Sequence, residues 1–210
     1  MAEPKAPRRT LVLASGNAGK LRELASMLQP LGWIVRPQGD WDVDGAVEDG
    51  LSFIENALIK ARLAARVTGL PALGDDSGLV VDALGGQPGI YSSRYAGEAA
   101  DDRANNDKLL QALAGVGETS RSAHFYCAMA LLRYPEDPAP LLATGRWHGR
   151  ILEAPAGTAG FGYDPLFWVP DMACSAAQLP AATKNRLSHR GKALSGLLAQ
   201  VENELLPADR

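Results

Sequence analysis

The chain has 210 residues, enough for one large domain or one domain with an appended lobe. With 46% hydrophobic and 21% charged residues it holds ample material for a packed core, which excludes a disordered tail, a coiled coil and a collagen-like fibre. A formal charge of −3 argues against a clamp for duplex DNA or a membrane-surface binder and leaves anionic small molecules open. Cys127 and Cys174 lack C-x-x-C spacing, so they form neither a zinc site nor a disulfide framework and read as two buried thiols. No apolar run approaches the ~18–20 residues of a membrane span, and no signal-peptide pattern is present. The expectation is a cytoplasmic enzyme or binding protein.

Residues 1–9, with two prolines and three basic residues but no periodicity, are expected to be a disordered lead-in, and residues 10–207 one two-lobed domain. The apolar run at residues 11–14 predicts a strand that ends in Ser15-Gly16-Asn17-Ala18-Gly19-Lys20, after which Leu21, Leu24, Ala25 and Leu28 follow helical spacing. Ser52 and Glu55 form a capping box for a second helix that stops at Gly69, before Pro71. A buried strand is expected at residues 79–84 and a helix at 101–113. Residues 122–132 alternate as a long strand, with Phe125, Cys127, Met129 and Leu131 on one face, and residues 141–151 return as its antiparallel partner after a proline-rich turn. The last helix is expected at residues 188–206. This order predicts an α/β fold around a sheet of mixed direction.

Five places can carry chemistry. A glycine turn between strand and helix, with Lys20 at its end, forms a cradle for an anion, because helix N-termini offer unpaired N–H groups and partial positive charge. It is not a Walker A loop: only two residues separate Gly16 from Gly19-Lys20, and Leu21 stands where Ser or Thr is needed. The alternative is a turn that only reverses the chain. Next, Asp75-Asp76-Ser77-Gly78 sets two acids side by side, either an exposed turn or a site compensated by a cation. Oxygen ligands without clustered histidines favour magnesium or manganese over zinc. Asp40-x-Asp42-x-Asp44-Gly45 imitates half of an EF-hand, but Leu51 stands where the bidentate Glu belongs, so that reading is rejected. Glu48 and Asp49 nevertheless lie close before the capped helix, where either can reach a metal held by Asp76.

The fourth place is Gly157-Thr158-Ala159-Gly160-Phe161-Gly162-Tyr163-Asp164-Pro165, whose rings can stack on a base and whose Asp can accept hydrogen bonds from base or ribose; the alternative is a tight turn with both rings in the core. The fifth is Lys184 followed by Ser188-His189-Arg190-Gly191-Lys192, donors suited to anionic or carbonyl oxygens, or else a solvated basic helix end. His124 and His148 read as ordinary strand residues without partners. Charge is polarised: residues 40–49 hold five acids and no base, and residues 172–201 four bases and His189 but no acid.

Taken together the motifs resemble the non-canonical purine nucleoside triphosphate pyrophosphatases, the Ham1-like family. The resemblance rests on SGNAGK at 15–20, FIENA at 53–57, DDSGL at 75–79, GGQPGIYSSRYAG at 85–97, AGTAGFGYDPLF at 156–167 and SHRGKAL at 188–194. It implies an elongated mixed sheet with flanking helices, two lobes around an active-site cleft, and a homodimer. It also implies hydrolysis of ITP, dITP or XTP to the monophosphate and pyrophosphate with Mg2+, for which Mn2+ can substitute. By position, Asp76 resembles the general base and metal ligand, and Ser15, Gly16, Asn17, Ala18, Gly19 and Lys20 the triphosphate cradle. Ser77, Phe161, Gly162, Tyr163, Asp164, Lys184, His189 and Arg190 match substrate-contacting positions. Many relatives carry two acids and a Thr before the glycine; here Val47, Glu48 and Asp49 precede Gly50, which makes Glu48 the second metal ligand and Asp49 its alternative. Lys60 is expected near the phosphates or paired with an acid. Two other classes compete: a nucleotide-sensing or nucleic-acid-binding module, disfavoured by carboxylates beside a polyanion, and a kinase-like phosphotransferase, disfavoured by the missing Walker hydroxyl.

Overall fold

The computed structural model describes residues 9–205; most of the expected lead-in and the last two residues of the expected domain lie outside them. The chain forms two compact units, one from residues up to 75, 129–143 and 200 onward, the other from residues 76–128 and 144–199. The fold is α/β, with seven strands hydrogen-bonded in the order β2-β1-β3-β4-β5-β6-β7.

In the first unit, β1 (Arg9–Leu13) runs parallel to β2 (Trp33–Pro37), Leu11 opposite Val35, and to the start of β3 (Ala72–Val81), Leu13 opposite Leu73. Helix α1 (Ala18–Leu28) buries Leu24 and Leu28 with Leu11 to Leu13 in the core. Helix α2 (Phe53–Thr68) starts at Ser52, whose hydroxyl accepts the Glu55 N–H, and ends at Gly69 in the left-handed region, as its signals predict. Its buried face is small, Ala57, Ala61, Ala64 and Ala65, and so admits β3 closely. A Cβ on Gly74 would lie 2.0 Å from the Ala57 carbonyl oxygen, so only glycine fits that crossing. The turn between β4 (Ser122–Leu132) and β5 (Leu141–Ile151) is tied by Asp137, fully buried, which accepts from the Arg133 guanidinium at 2.7 and 2.8 Å and from the N–H groups of Arg133 and Ala139. These bonds hold its carboxyl well below the usual range.

In the second unit, β6 (Phe167–Val169) is antiparallel to β5 and to β7 (Cys174–Ser175), so the sheet is mixed as expected. The core joins Leu79, Val81, Leu109, Leu113, Phe125, Trp147 and Phe167. Helix α3 (Asp102–Ala112) has Asp101 as its N-cap; beyond its end, buried Arg121 donates to the carbonyls of Leu113, Val116 and Leu152. Helices α4 (Ala181–Leu187) and α5 (His189–Leu205) meet at Ser188.

Several expectations need correction. The strand expected at 79–84 begins at Ala72 and closes in a 3-10 turn at Asp82–Leu84, so Asp75 and Asp76 belong to a strand and not to an exposed turn. The last helix begins at His189, one residue late, because extended Ser188 closes α4 first. Cys174, on the short outer strand β7, is half-buried. His124 and His148 are not partnerless: their rings lie 5.4 Å apart. β2, β6, β7 and α4 were not anticipated.

Candidate active site

The residues singled out by sequence fall into two sets, one in each unit, and Asp76 is the first residue of the second unit. In the first unit, the turn after β1 is capped from within. The Asn17 side-chain oxygen accepts the N–H groups of Gly19 at 2.8 Å and Lys20 at 3.0 Å, and the Ser15 hydroxyl accepts that of Asn17 at 3.1 Å. The expected row of unpaired helix amides is therefore largely satisfied, and Gly16 and Ala18 supply the turn amides outside this set. A Cβ at Gly16 would meet nothing within 4 Å, so the turn faces open space.

Lys20 is not a bare cation. Its ammonium lies 2.7 Å from the Asp75 carboxylate and 3.1 Å from the Asp75 carbonyl oxygen, with that carboxylate fully buried. This resolves the adjacent acids: Asp75 is compensated by lysine, and strand alternation sends the neighbouring Asp76 side chain to the opposite face. Asp76 is itself 5% exposed. The acids before α2 differ from one another, since Glu48 is partly buried with its carboxylate 3.4 Å from the Lys60 ammonium, whereas Asp49 is exposed. Lys60 thus pairs with an acid, one of its two expected places. Asn56, fully buried on α2, accepts the Gly50 N–H at 3.0 Å and so fixes the loop that carries Glu48. Asn56 stands inside FIENA, yet nothing in its spacing marks it as an anchor.

In the second unit, the Ser77 hydroxyl accepts from the Arg190 guanidinium at 2.9 Å. Arg190 is 2% exposed and stands 5.7 Å from the centre of the Phe161 ring, which the Lys184 ammonium approaches to 4.8 Å. Two cations over one ring fix its direction by cation–π attraction. The Asp164 carboxylate accepts from Lys184 at 2.6 Å and from the Phe161 N–H at 2.9 Å, so it braces its own loop. Tyr163 is buried, and its hydroxyl donates to the Ser92 carbonyl at 2.8 Å; burial, then Tyr95 and Asp102, push that hydroxyl well above the usual phenol range. Of the two rings in this loop, Tyr163 belongs to the core and Phe161 is partly exposed. His189 stacks on Phe125 at 4.8 Å, tilted by 13°. The Ser188 hydroxyl accepts the Gly191 N–H, and a Cβ on Gly191 would lie 1.7 Å from the Asn185 carbonyl oxygen, so α4 and α5 are locked where His189 and Arg190 emerge. Lys192 turns away to the Arg146 carbonyl.

Among the described residues no group of three or more His, Cys, Asp or Glu surrounds a metal position. No helix among the described residues is long and apolar enough to cross a membrane.

Comparison with known proteins identifies the family. Residues 11–200 match the model of the Ham1 family. A protein of Xanthomonas campestris pv. campestris named dITP/XTP pyrophosphatase is 59% identical over 187 residues, 89% of this chain and 94% of its own. One of the same name from Vibrio cholerae is 53% identical over 194 residues, 92% and 97% of the two chains. The structure of a HAM1 protein from Coxiella burnetii superposes with a TM-score of 0.85 at 47% identity, covering 93% of this chain and 99% of that one. Motifs, fold and relatives agree: the chain belongs to the Ham1 family.

Proposed function

We propose that the protein hydrolyses non-canonical purine nucleoside triphosphates (ITP, dITP and XTP) to the monophosphate and pyrophosphate, removing them from the nucleotide pool. The observation that carries this reading is the pair of sets itself: a glycine turn, a lysine and acids in one, and an aromatic ring held by cations beside buried hydrogen-bonding side chains in the other. Taken by itself, the first set suits phosphates, and the second by itself suits a purine base. The names of the close relatives support it.

In this reading the residues at 15–20 and Lys20 hold the phosphates, and Asp75 aims the Lys20 ammonium. Asp76 takes the proton of the attacking water. Asp76 and Glu48 are the oxygen donors for the cation, and Lys60 holds Glu48 in place. Magnesium, or manganese in its stead, when bound there neutralises phosphate charge and favours ionisation of a water. Phe161 stacks on the base, while Lys184 and Arg190 fix that ring and Asp164 and Tyr163 support its loop. Ser77 is held by Arg190 facing the same end of the substrate. His189 or a backbone N–H donates to the O6 of hypoxanthine or xanthine, where adenine offers a donor instead; one such bond left unmade costs ~1–3 kcal/mol, or roughly 5- to 150-fold in rate.

The test is to incubate the pure protein with ITP and magnesium. Pyrophosphate should appear as the first product, and orthophosphate first would overturn cleavage between the α and β phosphorus atoms. No consumption of nucleotide would point instead to a binding module. We also propose a homodimer acting in the cytoplasm, the former to be measured by light scattering of the eluted peak.

A further inference from the structure

We infer that Asp102 and Asn106 are positioning residues that set which purine base is accepted, by clamping both peptide planes of Gly162. The inference rests on the function proposed above and deepens it. The Gly162 N–H donates to the Asp102 carboxylate at 2.7 Å, and the Gly162 carbonyl accepts from the Asn106 side-chain amide at 2.9 Å. The two residues stand one turn apart on α3, so one helix face grips both polar atoms of one residue. Gly162 has φ +61°, and a Cβ there would meet nothing within 4 Å, so glycine serves for conformation and not for space. A left-handed glycine has shallow torsional preferences, and outside bonds therefore decide its orientation.

A trans peptide points its N–H and C=O in opposite directions. With the Gly162 N–H drawn to Asp102, the Phe161 carbonyl faces the other way, where it accepts the Asp164 N–H at 3.3 Å. With the Gly162 carbonyl drawn to Asn106, the Tyr163 N–H likewise turns away from Asn106. Rotation of either plane would exchange a donor for an acceptor, and an acceptor there would welcome the exocyclic amine that guanine carries and hypoxanthine lacks.

The helix is itself anchored. Asn105 donates to the Ser93 carbonyl at 3.2 Å and accepts the Ala96 N–H at 2.8 Å; Ser92 accepts the Tyr163 hydroxyl, and its own hydroxyl accepts the Leu79 N–H at 2.9 Å, two residues beyond Ser77. A second observation concerns Asn106, whose side-chain oxygen is buried with no hydrogen-bond partner. A buried acceptor left unmade lowers stability, so the amide end accounts for the residue.

The experiment measures kcat and KM for ITP and GTP in Asp102→Ala, Asp102→Asn, Asn106→Ala and Asn106→Asp, with Gly162 amide exchange followed by NMR. Asp102→Ala and Asn106→Ala should lower the ITP-over-GTP ratio of kcat/KM about tenfold, the change falling on KM more than on kcat. Asp102→Asn, which still offers an acceptor, should keep the wild-type ratio, and Asn106→Asp, which sets a carboxylate against the Gly162 carbonyl, should lower it further. Amide protection at Gly162 should fall in Asp102→Ala. An unchanged ratio in both alanine variants, or equal losses in Asp102→Asn and Asp102→Ala, overturns the clamp. If Asp102→Ala does not fold, the Asn106 pair carries the same comparison without touching the first turn of α3. If the wild-type protein releases no pyrophosphate from any purine triphosphate, the functional reading fails, and the clamp is then judged by the affinity ratio for inosine against guanosine nucleotides in the same variants.

Discussion

Lys20 and Asp75, 55 positions apart in sequence, form an ion pair at 2.7 Å in which the carboxylate has no exposure to solvent. Removing one member of such a pair leaves a buried charge, at a cost of about 3–5 kcal/mol. Lys20→Met should therefore lose stability on that order in urea denaturation as well as turnover. Lys20→Met/Asp75→Asn should regain much of the stability and none of the activity. A stable, active Lys20→Met would contradict both roles.

Asp76→Asn keeps size and one acceptor oxygen but cannot take a proton. The variant should fold with an unchanged circular dichroism spectrum and release pyrophosphate slower by several orders of magnitude. Turnover near that of the wild type would remove Asp76 from the chemistry.

The Asp137 carboxyl is held below its usual range by Arg133 in the β4–β5 turn. A carboxyl depressed in the folded state contributes stability that is present above about pH 4, its unfolded value, and is lost as the pH falls through its folded value. Asp137→Asn should be less stable at pH 7 and should flatten acid unfolding relative to the wild type; parallel curves would count against this.

His124 has the opposite chemistry and the same direction of pH dependence. Burial, then His148 and Arg146, lower its pKa, and Asp82 opposes them only in part. The folded state prefers the neutral ring, so stability is full above about pH 6.5 and declines as the pH falls below it. His124→Gln should reduce that slope between about pH 6.5 and 5 in thermal unfolding. An unchanged slope would exclude His124 as its source.

Gly74→Ala brings a methyl group within 2.0 Å of the Ala57 carbonyl. Backbone on both sides leaves no flexible side chain to yield, so the loss should exceed about 3 kcal/mol, above the usual cost of overpacking. Soluble protein with wild-type stability would show that the crossing relaxes.

Much of the fold was legible where start and stop signals were local. Ser52 and Gly69 bound α2, Asp101 caps α3, and the long alternations gave β4 and β5 their observed limits. The first half of β3 was not legible, because Gly74-Asp75-Asp76 has turn composition, and its burial depends on Lys20 and on the Ala57 carbonyl, both remote in sequence. β2 was missed because its five residues are only half-covered and end at Pro37. Within the site, residue types were readable and partners were not. Asp164 reads as a group for a base or ribose, and its bonds to Lys184 and the Phe161 N–H have no counterpart in the sequence pattern. Asp102 and Asn106 act through single backbone groups far along the chain, and Asn56 through one six positions back, pairings for which a sequence carries no periodic signature.

Because Asn17 closes the turn after β1 on its own side chain, that loop has its shape before any ligand arrives. The entropy of ordering it is lost during folding and not at association. Phosphate capture by this segment should accordingly resemble a rigid-body encounter, quick and dependent on ionic strength, with little heat-capacity change from the loop itself.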